Sequence, residues 1–414
     1  MHNKRLFMNF LSLLSVQGVN YLLPLITLPY LLRTLGPEKF GVIAFAQALI
    51  QYFVLLTDYG FNLTATKSIS INREDKRELS RIFSTVMSIK LILMVISFII
   101  LICILCVFDK FGYYWEVYVL TFGMVLGNVL FPIWFFQGLE SMKVISILNA
   151  ISKLFFTISL FIFVKTAGDF YLVPALTSVG YIAVGIISLV IIKKKYQLII
   201  VKPKFGYMQK ELREGWDIFI STIAVSLYTI SNTFILGIFT NNLITGYYAS
   251  AEKLINAING LINPISQTIF PHLSRIVRDS KDEALKFIRK VLKLNSIIFL
   301  GISILVFLFS ELIVDLVFGP DYRESILVLR ILSPLPLLVS ISNILGVQVM
   351  INFGYKKVFS RILMFSSAIN IILAAILVPL YNHIGTAIAL LLIELIVTGI
   401  MVIYLSKKKV NLWR

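Results

Sequence analysis

The sequence predicts an all-α polytopic membrane protein of twelve transmembrane helices in two six-helix lobes around a central cavity. Three observations predict it. Only 14% of the 414 residues are charged against 58% hydrophobic, and mean hydropathy is +0.90. A soluble domain carries roughly 25% charged residues, so most of this surface must meet lipid. The apolar residues also come in runs of about 20, the length of a membrane-crossing helix, rather than in the short alternating patterns of barrel strands. Finally, the chain repeats itself about a basic stretch near its middle. Lys193-Lys194-Lys195 recurs as Lys407-Lys408-Lys409, Gly185 as Gly399, and Lys143-Val144 as Lys357-Val358. Gly41-Val42-Ile43-Ala44-Phe45-Ala46-Gln47 likewise lies over Gly246-Tyr247-Tyr248-Ala249-Ser250-Ala251-Glu252. Internal repeats of this kind mark paired lobes. The lobes are expected at 1–192 and 214–414, joined by a basic cytoplasmic linker, 193–213.

The elements follow in order. A short basic start, Met1 to Arg5, leads into the first span, 8–32, which carries Pro24 and Pro29 and reads as uncleaved, since no small-residue cleavage site follows. Arg33 and Lys39 lie at its outer end. Span 40–62 returns inward with Asp58 toward its cytoplasmic end, and the polar segment Ser70–Arg81 reads as an amphipathic cytoplasmic helix. Span 82–108 holds Lys90 and both cysteines, Cys103 and Cys106, which read as buried hydrophobes because zinc would need four ligands. A short outer loop, Asp109 to Glu116, precedes spans 115–137, with Pro132, and 144–166, with Lys153. Span 171–192 ends at the basic linker. In the second half, span 215–239 holds Asp217 near its cytoplasmic end, and 243–270 holds Lys253 and Pro264. The polar segment His272–Lys293 matches Ser70–Arg81 in character and leads to span 291–317. Span 325–351 holds Arg330, Pro334 and Pro336; spans 358–380 and 384–406 finish the chain, the last with Glu394.

Charge orients these spans. Of the 38 lysines and arginines, only Arg33, Lys39, Lys110, Lys165, Arg323 and Arg330 fall on outer ends, and Lys90, Lys153 and Lys253 lie within spans. The remainder sit on the segments assigned to the cytoplasm, which explains the net charge of +17 by membrane insertion rather than nucleic-acid binding and puts both termini in the cytoplasm. The basic segments also suit lipid headgroups.

No catalytic constellation, P-loop or metal spacing stands out. The ionisable residues inside spans do. A charge facing lipid at mid-helix costs roughly 2.5–3.5 kcal/mol on insertion scales. Lys153, Lys253 and Glu394 lie roughly 15 Å along their helices, close to midplane, and Lys90 is shallower. Lys90, Lys153 and Lys253 are therefore candidates to neutralise an anion such as a diphosphate, with Arg33 and Arg330 at an outward mouth. Internal ion pairing, or snorkelling to an interface, is the competing role for each of these lysines and for Glu394, most of all for Lys90, and a simple interfacial position is the competing role for Asp58 and Asp217. Asp58, Asp217 and Glu394 are candidates to bind a coupling proton or sodium ion; no other cofactor is expected.

Leu23-Pro24-Leu25-Ile26-Thr27-Leu28-Pro29-Tyr30-Leu31-Leu32-Arg33-Thr34-Leu35-Gly36-Pro37-Glu38-Lys39-Phe40-Gly41 resembles the opening of the bacterial Wzx flippases for O-antigen and polysaccharide repeat units. Asp58 to Lys67, Trp134 to Glu140 and Gly246 to Lys253 extend the resemblance over most of the chain. It implies the multidrug/oligosaccharidyl-lipid/polysaccharide exporter superfamily, and twelve helices in two lobes. The implied activity is transfer of undecaprenyl-diphosphate-linked oligosaccharide, as in O-antigen and lipopolysaccharide biosynthesis, across the bacterial inner membrane. Membrane lipids, the glycan polymerase and the chain-length machinery are the candidate partners. A cation-coupled small-molecule exporter of the same fold is the alternative; a membrane glycan polymerase is disfavoured by the short outer loops.

Overall fold

The computed structural model describes residues 2–408, 410 and 412, with side chains outside 2–22, 224, 225, 227–229, 271 and 272. Met1, Lys409 and Arg414 of the basic termini lie outside the described residues, as do the side chains of Lys4 and Arg5. Among the described residues every regular element is a helix. The chain divides into two compact units, Met1–Thr27 with Phe45–Ile223, and Leu28–Ala44 with Ala224–Arg414.

Among the described residues eight helical stretches are long and apolar enough to cross a membrane, which makes this a multi-pass membrane protein. Two of them run through boundaries that hydropathy places between spans. The helix His2–Asp58 bends at Gly36, whose φ of 71° suits a residue without Cβ. The helix Lys356–Lys407 contains Pro379 and turns at Asn382, with φ 51° and ψ −129°. The expected spans 215–239 and 243–270 are not among the eight. Their helices are broken, at Ile230 and at Leu261, and diluted by polar residues such as Asn232, Glu252, Asn256 and Asn259.

In the first unit, Tyr59 and Gly60, both at positive φ, reverse the chain into the helix Phe61–Ile71. Asp75 then caps the helix Lys76–Val107 by accepting from the Arg77 and Glu78 N–H groups. One core of this unit is aromatic: Phe61, Phe83, Trp134, Phe135 and Phe136 are buried in it. The helices Trp115–Leu130 and Leu172–Ile191 pack closely because glycine and serine line their contact: a Cβ on Gly127 would lie 2.5 Å from the Tyr181 Cβ. Ser178 and Ser188 donate across it to the Leu120 and Leu130 carbonyls. The expected basic linker is tied down. Past a π-turn at Ile192–Tyr196, the Ile199 and Val201 N–H groups donate to Ser80 and Ser84. Elsewhere Lys76–Val107 exposes a run including Ile92, Val95, Ile96, Phe98 and Ile99, a face that only a lipid environment solvates well. Tyr113, Tyr114, Trp115, Phe170 and Tyr171 gather at one end, as aromatic side chains do at a membrane interface.

In the second unit, residues 28–44 lie against the helix Asn242–Gly260. The crossing uses the two glycines that the internal repeat aligns. A Cβ on Gly41 would fall 1.8 Å from the Asn242 carbonyl oxygen, and one on Gly246 would fall 1.9 Å from the Pro37 carbonyl oxygen. Gly41→Ala is therefore expected to destabilise the protein by about 3 kcal/mol, as overpacking against backbone does, read as a lowered unfolding temperature in detergent. Around the crossing, Leu32, Phe40, Tyr248, Phe318, Leu329 and Val378 form the buried core.

Candidate functional site

The residues expected to carry charge chemistry divide by environment. Lys90 is 1% exposed and its Nζ donates to the Asp58 carboxylate at 2.8 Å and to the Asn128 side-chain carbonyl at 3.4 Å. Each charge therefore balances the other. The fold makes this pair by turning the chain sharply after Asp58, at Tyr59 and Gly60, so that Asp58 ends its helix beside the middle of Lys76–Val107. Asp217 is exposed, and Lys153 is partly buried on the helix Met142–Phe163. Arg33 is spent on backbone: its guanidinium donates to the Asp315 and Leu316 carbonyls at 3.0 and 2.5 Å. Those carbonyls belong to a π-turn, Val314–Phe318, which wants such a donor. Arg330 donates to Ser310 at 2.8 Å and lies 3.8 Å from Glu311.

Glu394 and its surroundings form the most developed polar site. In the second unit an open cavity of about 420 Å³ is lined by the helices Asn242–Gly260, Ile262–Asp279, Leu335–Asn343 and both arms of Lys356–Lys407. Glu252 and Glu394 line it, with Asn256, Asn259, Asn263, Ser342 and Asn343. Glu394 is 4% exposed and accepts from the Ser342 hydroxyl at 2.6 Å. Glu252 accepts from Thr233 at 2.6 Å and from Tyr248 at 3.1 Å. Glu252, Asn256, Asn259 and Asn263 recur at helical spacing, so one face carries them all past the joint at Leu261. Apolar side chains, among them Leu335, Phe359 and Leu390, complete the wall.

Lys253 is not part of that wall. One residue on from Glu252, it points elsewhere and lies over the Phe40 ring, 5.0 Å from its centroid. The asparagine face is not among the residues singled out from the sequence, being uncharged, although its spacing is written there. Nor is the buried amide pair Asn232–Asn370, 3.1 Å apart, which belongs to the same unit. Among the described residues no cluster of histidine, cysteine or carboxylate side chains could hold a metal ion. Cys103 and Cys106 are exposed free thiols, not the buried pair expected.

Residues 6–277 match the family described as polysaccharide biosynthesis protein. The chain is 36% identical to the "Putative O-antigen transporter" of Escherichia coli (strain K12), covering 97% of each chain. It is 31% identical to the "Putative O-antigen transporter" of Shigella dysenteriae, over 95% of this chain and 98% of that one. Among solved structures it is similar to the lipid II flippase MurJ in an inward closed conformation. There the TM-score is 0.73 and the identity 14%, over 95% of this chain and 87% of that one. An inward-facing multidrug transporter of the MATE family gives 0.69 and 15%, over 94% of each. At these identities the two structures speak for the fold alone.

Proposed function

The chain belongs to the polysaccharide biosynthesis protein family, and from that premise we propose that it is a Wzx-type flippase. It carries undecaprenyl-diphosphate-linked oligosaccharide repeat units, of the O-antigen kind, from the inner to the outer leaflet of a bacterial inner membrane. The carrying observation is the 36% identity over 97% of both chains with a relative named for O-antigen transport. The geometry supports it: a polar cavity inside an otherwise apolar helical unit suits a hydrophilic cargo that must cross lipid. Deleting the gene should leave lipid-linked repeat units accumulated on the cytoplasmic side and the surface glycan missing; restored glycan from a plasmid copy checks the assignment.

The finer features belong to this reading. At about 1.5 Å per residue, the helix Lys356–Lys407 is about 78 Å long, more than twice the roughly 30 Å apolar core of a bilayer. Bent at Asn382, it supplies two crossings, as Leu23–Ile71 does when bent at Gly36. With the broken helices between Phe205 and Asp279 the count becomes twelve, in two lobes divided at the basic stretch 193–213. Basic inner segments put both termini in the cytoplasm. The protein works as a transporter by alternating access rather than as an enzyme. Lys153 and Lys253 neutralise the diphosphate, Arg33 and Arg330 stand toward the outward side, and Lys90 with Asp58 holds the first lobe together. A proton or sodium ion couples the cycle, with Glu394 the leading candidate over Asp217. The polymerase and chain-length machinery receive the product.

If Glu394 carries the coupling proton, Glu394→Gln removes the dependence of transport on a pH gradient while leaving gradient-free exchange. Proteoliposomes with imposed gradients check this, and unchanged dependence assigns coupling elsewhere.

One observation favours a second reading. Two carboxylates in the cavity suit a cationic cargo, as in a cation-coupled small-molecule exporter. That reading requires the deletion strain to become sensitive to cationic compounds with its glycan intact.

A further inference from the structure

We infer that the cavity of the second unit is a glycan subsite that receives uncharged sugars of the repeat unit and rejects acidic ones. The inference rests on the flippase reading and deepens it. Its lining is mixed in the way a sugar ring is mixed. Glu252 and Glu394 offer carboxylate acceptors, while the amides of Asn256, Asn259, Asn263 and Asn343 each offer both donors and an acceptor. Adjacent sugar hydroxyls are donors and acceptors at once, and pair with such groups. The Asn259 side-chain oxygen is buried with no hydrogen-bond partner, an arrangement that costs stability until a donor arrives. A sugar hydroxyl is such a donor.

The opposite wall suits the C–H face of the ring. Phe359 lines the cavity, and its position depends on Gly346: a Cβ there would lie 2.3 Å from the Phe359 ring. At about 420 Å³ the space lies in the size range of small-ligand clefts, about 300–1,000 Å³. It accommodates a short piece of glycan and not a whole repeat unit.

Charge sets the selectivity. No lysine or arginine lines the cavity, whereas two carboxylates do. A uronic acid, or the diphosphate itself, would bring a further negative charge against a wall that carries two carboxylates and, among the described residues, no lysine or arginine; Lys253 acts on Glu252 from outside that wall. Lys253, adjacent to Glu252 in sequence, points out of the cavity over Phe40. Anion and glycan therefore use different faces of one helix.

The test reconstitutes the full chain in proteoliposomes with two probes. One is an undecaprenyl-diphosphate disaccharide ending in galactose; the other is the same lipid ending in glucuronic acid. Wild type is expected to move the galactose probe about tenfold faster, the size of effect one unmatched buried polar contact produces. Asn259→Ala should lower galactose transport about tenfold and leave the slow glucuronate rate unchanged, with Asn259→Gln partly restoring it. Glu252→Gln with Glu394→Gln should bring the two rates together. Equal rates in wild type overturn the inference, as does a double variant that, with no gradient imposed, keeps the wild-type preference or loses both probes alike. Detergent-phase binding of each probe to the same variants separates loss of recognition from loss of folded protein; variants that are folded and bind both probes like wild type also overturn it. Failure of wild type to move either probe is a different result and counts against the flippase reading itself.

Discussion

Replacing Lys90 with Met is expected to destabilise the protein by about 3–5 kcal/mol, the cost of stranding one charge of a buried ion pair. The lysine is 1% exposed and the Asp58 side chain 20%, so water reaches the stranded carboxylate poorly. Asn128, 3.4 Å from the lysine, offers a carbonyl to the ammonium but only its amide edge to a carboxylate, and it would have to turn over to help. Removing both charges, Lys90→Met with Asp58→Asn, should recover most of the loss, because a buried pair and its neutral replacement are often close in energy. Thermal unfolding of the four proteins in detergent closes the cycle. A Lys90→Met protein as stable as wild type would mean that the pair is not formed. The same variants separate structure from transport. The double variant should keep most of its flux, since these charges serve the packing of the first unit.

Lys253→Ala is expected to remove surface glycan while the protein reaches the membrane in normal amount. Lys253 sits near the middle of the helix Asn242–Gly260, beside the Gly41–Gly246 crossing and above the Phe40 ring. Under the flippase reading Lys253 is a ligand of the diphosphate, so the loss should follow its charge rather than its packing. Lys253→Arg retains the charge and should recover part of the activity, although its planar fork fits the aromatic face differently. Lys253→Glu should be as inactive as Ala. Glycan staining of a deletion strain carrying each allele, with immunoblots of membranes, reads both quantities. Wild-type glycan from the Ala allele would remove Lys253 from the diphosphate site.

Much of the architecture is legible in the sequence because lipid leaves few choices. Low charge and long apolar runs force helices, and the breaks at Gly36 and near Asn382 fall where hydropathy dips. Pairing between distant residues is not legible. Lys90 and Asp58 are separated by a helix and a turn, and only the register of two helices decides that they meet. The same holds for Arg33, whose partners are carbonyls freed by a π-turn nearly three hundred residues on. Nothing in the order of the residues announces that 28–44 pack with the C-terminal unit. Glu394 was visible as a lone acid in an apolar run, but its cavity was not, because its lining comes from four separated helices. The asparagine face is written at helical spacing but carries no formal charge to mark it. Amides cost little to bury when partnered, so they stand out less than lysines while carrying as much recognition.

The most direct test of the central claim uses purified protein in vesicles loaded with the galactose-ended lipid diphosphate in both leaflets, with galactose oxidase added outside. The enzyme oxidises only the outward-facing sugar. With a flippase present, oxidation should run past the outer-leaflet share and consume the inner pool as well, and Lys253→Ala should stop it at the outer share. If wild-type vesicles stop where protein-free vesicles stop, the chain does not translocate this class of lipid.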